Sequence, residues 1–242
     1  MERTILVHGI RVHCLLEGDG HRPVVVLLHG WTMNSSVYKQ LGHLLAERFF
    51  VVIPDLPGFG KSDKTSPTFE EFAALLNTFL EKIGVSKATF VAHSMGGGVA
   101  IEVARLFPER VTRLVLVDSI GERIDRSVFE LLIAAMRKTV RGLAIKPAAA
   151  AKVVATAILS CLKRPAWALK TANMIRSCDL VGELRQIKVP TFVVWAKDDE
   201  LLPSCARICS ALSAEPIIVD GVGHDWIILD QEEASRVIGE LI

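Results

Sequence analysis

The chain lacks the features that would place it in a membrane or in the secretory pathway. No apolar run reaches the roughly 20 residues that a bilayer-spanning helix needs. The nearest candidate, residues 148–162, is shorter and contains Lys152. The first residues are not a basic stretch followed by an apolar one, so we expect no secretory signal peptide. These absences predict a cytoplasmic protein with no transmembrane segment.

A disulfide scaffold and a large net charge are also missing. The five cysteines are scattered and odd in number, and Cys205 and Cys209 have no further Cys or His close enough in sequence to complete a metal site. We therefore expect packed thiols and no metal. The net charge is only +1, which gives no reason to expect nucleic-acid binding. The charge is nevertheless uneven, because residues 122–183 hold eleven Lys or Arg and five Asp or Glu.

The sequence does contain an alternation of strand and helix patterns. Residues 24–28 are an unbroken β-branched and leucine run, typical of a strand buried on both faces of a parallel sheet. Similar runs follow at 49–53, 89–92, 114–117, 191–195 and 217–219. Helical spacing is clearest over 69–83, where Thr68 and Glu71 form a capping-box pattern. The pattern predicts an α/β fold with a doubly wound, mostly parallel sheet.

One segment, residues 121–183, breaks this alternation. It is Ala-rich, favours helix, shows no strand pattern and is interrupted by Pro147 and Pro165. Ligands bind outside the carboxyl ends of parallel strands, so a helical insertion here would cover the site as a lid. We therefore expect a core formed by residues 1–120 and 184–242, and a lid (cap) formed by residues 121–183.

Ser94 lies directly between a predicted strand and a predicted helix, in the sequence Ala-His-Ser-Met-Gly at 92–96. A serine on such a tight turn presents its hydroxyl at the top of the sheet, and small residues two before and two after it allow the strand and helix to approach closely. Ala92 occupies the first of these small positions. The strand before and the helix after Ser94, more than the short motif itself, predict a nucleophile.

These motifs resemble those of the α/β-hydrolase superfamily, in its serine-nucleophile, esterase- and lipase-like branch. Residues 29–31 (His-Gly-Trp) resemble its oxyanion loop, residues 55–62 its D-x-P-G-x-G-x-S turn, and residues 107–111 the segment before the strand that ends at Asp118. A weaker resemblance links residues 29–34 and 56–60 to the pimeloyl-ester carboxylesterase of biotin synthesis. That family has Trp and Leu beside the serine, where this chain has His93 and Met95.

A serine hydroxyl needs a base to remove its proton, and histidine suits the task because its pKa lies near 6.5. His224 follows two glycines between the last predicted strand and helix, and it resembles the catalytic G-x-G-H motif of the superfamily.

The histidine in turn needs a carboxylate. Three acids follow the strand at 191–195, and alignment of the superfamily pattern on Pro203 selects Asp199. Asp198 and the more distant Asp118 remain alternatives.

The resemblance also implies an oxyanion hole formed by the backbone amides of Trp31 and Met95, and it implies no cofactor. We expect substrate contacts from Trp31 and His93, although structural packing is the simpler interpretation of His93 and His29.

A serine nucleophile argues against haloalkane dehalogenases and epoxide hydrolases of this fold, which use Asp. We expect a serine esterase that cleaves a carboxylic ester of a small molecule. A thioesterase, a carbon–carbon bond hydrolase, a perhydrolase and a ligand receptor on a hydrolase scaffold are the alternatives. The basic lid could meet an acidic carrier, an anionic acyl chain or a lipid surface, or could simply have a solvated basic face.

Overall fold

The computed structural model describes residues 1–202 and 205–242, and its strands form one eight-stranded sheet. The strands are β1 (Glu2–Val7), β2 (Ile10–Glu17), β3 (Val24–Leu28), β4 (Phe50–Pro54), β5 (Ala88–His93), β6 (Val111–Val117), β7 (Thr191–Ala196) and β8 (Pro216–Val219). Their order is β1-β2-β4-β3-β5-β6-β7-β8. β1, β2 and β4 pair antiparallel and all other pairs are parallel. The predicted α/β fold with a mostly parallel sheet is confirmed.

Helices connect these strands. They are α1 (Lys39–Leu45), α2 (Phe69–Lys82), α3 (Met95–Leu106), α4 (Val128–Ile145), α5 (Pro147–Lys163), α6 (Pro165–Arg176), α7 (Val181–Leu184), α8 (Ala206–Leu212), α9 (Trp226–Leu229) and α10 (Gln231–Gly239). The side chain of Thr68 accepts a hydrogen bond from the Glu71 amide (3.1 Å) and so caps α2 where the sequence predicts a helix start. Across the described parts of the chain, no helix is long and apolar enough to cross a membrane.

The buried core has two halves, one on each face of the sheet. Side chains alternate along a strand, so Phe90 of β5 packs in the half that contains α2 and α3, whereas Val91 packs in the half that contains α1 and α10. The chain winds from β3 outward to β4 and then returns to β5 on the other side of β3. The carboxyl ends of β3 and β5 therefore border the crevice in which doubly wound sheets bind ligands.

The segment between β6 and β7 forms helices α4 to α7, and its described residues include no strand. The insertion packs on the core through Trp167 of α6, whose ring stacks on Phe72 of α2 with centroids 6.3 Å apart. The Trp31 indole N–H also donates to Thr171 Oγ1 of α6 (2.9 Å), so α6 lies above the crevice. That residues 121–183 act as a lid on a core of residues 1–120 and 184–242 stays our proposal.

Candidate active site

Ser94 occupies a strained turn between β5 and α3, with φ 54° and ψ −119°. A residue other than glycine in such a conformation costs about 1–3 kcal/mol, so surrounding contacts must hold it. The Ser94 amide donates to Val117 O (3.0 Å), and the Ser94 carbonyl accepts from the amides of Gly97 (2.9 Å) and Ile120 (3.2 Å). These bonds fix the hydroxyl at the carboxyl end of β5.

Close packing explains the small residues around this turn. A Cβ atom added to Gly96 would lie 2.7 Å from Leu28 O and 2.9 Å from His29 O, so α3 begins in direct contact with the end of β3. Ala92, two residues before Ser94, is completely buried. Gly96, two residues after Ser94, therefore leaves no space for a side chain, and Ala92 is enclosed by the core.

Ser94, His224 and Asp199 lie in one hydrogen-bonded line. His224 Nε2 is 3.0 Å from Ser94 Oγ, and His224 Nδ1 is 2.7 Å from Asp199 Oδ2. The other carboxylate oxygen of Asp199 accepts the amides of Leu201 and Leu202, both at 2.7 Å. The acid is therefore held by its own loop, and it fixes the imidazole with Nδ1–H donating to Asp199 and Nε2 facing the hydroxyl.

The charges around His224 raise the pKa of its imidazole. Burial alone would lower the pKa of His224, but the charge of Asp199 and its hydrogen bond outweigh burial and raise the pKa above its ordinary value. An imidazole that gains basicity in this way can accept the proton of a serine hydroxyl.

The two alternative acids point elsewhere. The Asp198 side chain is about half exposed and pairs with Arg141 (2.6 Å). Asp118 accepts the Ala196 amide (2.7 Å) and the Trp226 indole N–H (2.8 Å). Burial and the nearby charge of Asp199 raise the pKa of Asp118 to about 8. Pro203, on which the sequence alignment depends, lies outside the described residues.

His93 is buried and both of its ring nitrogens have protein partners. The Tyr38 hydroxyl donates to Nδ1 (2.7 Å), and Nε2–H donates to the carbonyl of His224 (3.0 Å). Burial lowers the pKa of His93 to about 3, so the ring stays neutral. No polar atom of this side chain is left for a substrate. His93 therefore supports the backbone of His224, and the substrate contact expected at this residue stays a prediction from the sequence.

His29 performs a similar task for the loop that contains Trp31. Its Nδ1–H donates to Gly30 O (2.8 Å) and its Nε2 accepts the Leu56 amide (2.9 Å). A Cβ atom on Gly30 would lie 3.3 Å from Ser94 Cβ, so this loop passes beside the serine. The Met95 amide is in the first turn of α3, where amides have no partner within the helix. The loop and the helix terminus thus border Ser94 from two sides.

A buried hydrogen-bond network around Asp55, which the sequence analysis missed, lies beside the loop that contains Trp31. Asp55 accepts hydrogen bonds from the amides of Ser35 (2.7 Å) and Lys61 (2.9 Å) and contacts His13 Nδ1 (2.8 Å). Asp55 begins the D-x-P-G-x-G-x-S turn, but its pairing with His13 of β2 joins residues 42 positions apart and has no local sequence signal.

His93, His224 and Asp225 bring ligand atoms within 4.8 Å of one another, a spacing that a metal ion could use. The two histidines already use their ring nitrogens in the bonds described above, and Asp225 contacts Lys138 at 2.9 Å. The donor set is therefore occupied by protein partners.

Comparison with known proteins identifies the family. The family described as the α/β hydrolase fold matches residues 23–150. The chain belongs to the α/β-hydrolase family. This family member is 30% identical over 238 residues to a pimeloyl-[acyl-carrier protein] methyl ester esterase of Vibrio cholerae, a match that covers 88% of this chain and 92% of the relative.

Three further similarities are partial or concern the fold alone. A 46% identical match to the esterase of the same name from Photobacterium profundum covers 42% of this chain and 39% of the relative. A 37% identical match to an uncharacterized protein of Mycobacterium tuberculosis spans only 36% of that protein. The enol-lactonase of Burkholderia xenovorans superposes with a TM-score of 0.84, covering 98% of both chains at 20% identity, which shows the shared fold.

Proposed function

We propose that this α/β hydrolase is a serine esterase that cleaves a carboxylic ester of a small molecule through an acyl-enzyme on Ser94. The observation that carries the proposal is the hydrogen-bonded line from Ser94 through His224 to Asp199. The Vibrio cholerae relative, which matches most of the chain, is named an ester esterase, and this supports an ester as the substrate.

In the first half of the reaction, His224 accepts the hydroxyl proton as Ser94 Oγ attacks the ester carbonyl carbon. The carbonyl oxygen becomes negative and accepts hydrogen bonds from the amides of Trp31 and Met95, each worth about 3 kcal/mol of barrier. His224 then gives its proton to the departing alcohol, which leaves the acyl group on Ser94. Asp199 stabilises the imidazolium throughout.

In the second half, His224 accepts a proton from water as the water oxygen attacks the acyl carbon. Collapse of the second tetrahedral intermediate returns that proton to Ser94 Oγ and releases the carboxylic acid. The same residues serve both halves, so no further acid or base is needed.

Several cations of residues 121–183 are neutralised by the rest of the chain. Three ion pairs do this: Lys138 with Asp225 (2.9 Å), Arg141 with Asp198 (2.6 Å) and Lys146 with Asp230 (3.5 Å). Part of the basic excess therefore attaches the insertion to the core.

Other cations lie at a cleft of about 250 Å³ between residues 123–126 and the end of α6. Arg123, Arg126 and Arg176 line it together with one acid, Asp125. Arg126 donates to Glu200 O (2.7 Å), the carbonyl of the residue that follows Asp199. We infer that esters with an anionic acyl part are preferred substrates. The acidic carrier and the lipid surface remain predictions from the sequence.

The nucleophile is tested by labelling with a fluorophosphonate probe and mapping the label by mass spectrometry. We expect one label on Ser94 and loss of p-nitrophenyl acetate turnover in Ser94→Ala. The matched control is Ser86→Ala, since Ser86 is exposed and lies outside the site. Label on another residue, or full turnover in Ser94→Ala, would overturn the proposal.

The reaction class is tested with acyl esters, thioesters and a vinylogous diketone of matched size. We expect sustained turnover and the highest kcat/KM with esters. A single burst without further turnover would instead indicate a ligand receptor, and a preference for the diketone would indicate a carbon–carbon bond hydrolase. Arg176→Ala should lower kcat/KM for an ester with a terminal carboxylate more than for its neutral analogue.

A further inference from the structure

Helix α4 faces the core with the side that carries Lys138 and Arg141, and three of its large apolar residues lie on the exposed side. Lys138 and Arg141, one helical turn apart, point at the loops that follow β7 and β8. On the opposite side of α4, Phe129, Met136 and Val140 are 71%, 61% and 63% exposed. Ion pairs therefore connect α4 to the loops that follow β7 and β8.

Each of these two cations pairs with one carboxylate that is linked to the backbone around His224. Lys138 Nζ lies 2.9 Å from Oδ2 of Asp225, the residue that follows His224 in the chain. Arg141 Nη1 lies 3.5 Å from Glu200 Oε1, and Glu200 Oε2 accepts the His224 amide at 3.3 Å. The backbone of His224 is thus connected on one side to α4 and on the other side to His93.

Asp225 is the stronger of these links because it is buried and charged. Its side chain is 8% exposed, and that of Lys138 is 20% exposed. Burial alone would raise the pKa of Asp225, but the charges of Lys138 and His224 outweigh it and hold the pKa below its usual value. A buried carboxylate of this kind is stable only with its cation in place, since an unpaired buried charge is costly.

We propose that Lys138 is a positioning residue, which through Asp225 holds the loop of His224 so that the imidazole meets both Ser94 and Asp199. The proposal rests on the esterase function proposed above. It assigns to an inserted helix a direct part in the geometry of the base, in addition to any role in covering the site.

The charges around His224 give this role a distinctive signature. The carboxylates of Asp199, Asp225 and Asp118 face the imidazole and favour its protonated form, whereas burial opposes it. The neutral ring of His93 and the hydroxyl of Ser94 also contact the His224 imidazole. Lys138 pairs with Asp225, and Glu200 accepts the His224 backbone amide. Loss of the Lys138 charge would leave Asp225 uncompensated, so the imidazole should hold its proton to a higher pH.

The experiment uses the full chain with Lys138→Met, which keeps the length of the side chain and removes its charge. We expect kcat for p-nitrophenyl acetate to fall about tenfold with little change in KM, and the acid limb of the kcat/KM profile to move up by about 0.5–1 pH unit. Lys138→Arg, which keeps the positive charge, should retain the kcat and the acid limb of the unmodified chain. Arg137→Met is the matched control, because Arg137 is exposed on the same helix and has no carboxylate partner among the described residues.

The double variant Lys138→Met/Asp225→Asn separates positioning from charge. Removal of both charges should return the acid limb to its normal pH, while kcat stays several-fold low because the loop has lost its link to α4. Wild-type kcat in a folded Lys138→Met protein, or in the double variant if the single variant does not fold, would overturn the proposal. Failure of the esterase function itself would already be seen as absent ester turnover in the unmodified chain.

Discussion

Replacing Asp199 by asparagine tests the candidate triad most directly. The change keeps size and shape, and the amide oxygen can still accept the Leu201 and Leu202 amides that hold the Asp199 side chain at 2.7 Å. The amide nitrogen would then face His224 Nδ1, where the carboxylate now lies 2.7 Å away. Since an amide N–H can only donate, the imidazole must place its proton on Nε2.

That tautomer cannot accept a proton from Ser94, because Nε2 would already carry one. The expected loss in kcat is on the order of 10⁴-fold, the loss known for such a change in a serine protease. A factor of that size corresponds to about 5.5 kcal/mol of barrier. The assay is kcat for p-nitrophenyl acetate across pH 6–9, with urea unfolding to establish that the variant is folded.

Asp198→Asn is the matched control, since Asp198 precedes Asp199 and bonds to Arg141 and not to His224. We expect it to lose less than about tenfold, as befits a half-exposed ion pair worth about 1 kcal/mol or less. A larger loss in Asp198→Asn than in Asp199→Asn would refute the assignment. So would nearly normal turnover in a folded Asp199→Asn protein.

Three further outcomes follow from the same geometry. The kcat/KM of the unmodified chain should rise with pH through an apparent pKa above 6.5, because the active form of His224 is neutral and Asp199 raises its pKa; an apparent pKa well below 6.5 would contradict this. The pKa of His93 is about 3 in the folded protein and 6.5 in the unfolded chain. The neutral His93 ring therefore contributes fully to folding stability above pH 6.5, and this contribution decreases as the pH falls towards 3. Between pH 7 and 4 this should cost about 3 kcal/mol in urea unfolding, and a much weaker dependence is expected in His93→Asn. Gly96→Ala should destabilise the fold by about 2–3 kcal/mol, because its Cβ would lie 2.7 Å from Leu28 O, whereas Gly182→Ala, which meets open space, should not.

The strands, the main helices and the family were predictable from the sequence because each depends on local patterns. The β-branched run at 24–28 forms β3, and the helical spacing from Phe69 forms α2 with Thr68 as its cap. The position of Ser94 on a tight turn was predictable for the same reason, since a strand, the turn and a helix are contiguous in the chain. His224 and Asp199 could be proposed only through resemblance, because each comes from a separate loop more than 100 residues from Ser94.

The tertiary structure decided which side chains meet. Asp118, Asp198 and Asp199 all follow strands, and the sequence left all three open, but only the Asp199 carboxylate bonds to the imidazole. The use of cations from residues 121–183 was equally hidden, because Lys138 and Asp225 are far apart in the chain and meet only after β6, β7 and β8 align. Local periodicity determines where strands and helices form, whereas the direction of a side chain across a sheet edge depends on register, twist and loop packing.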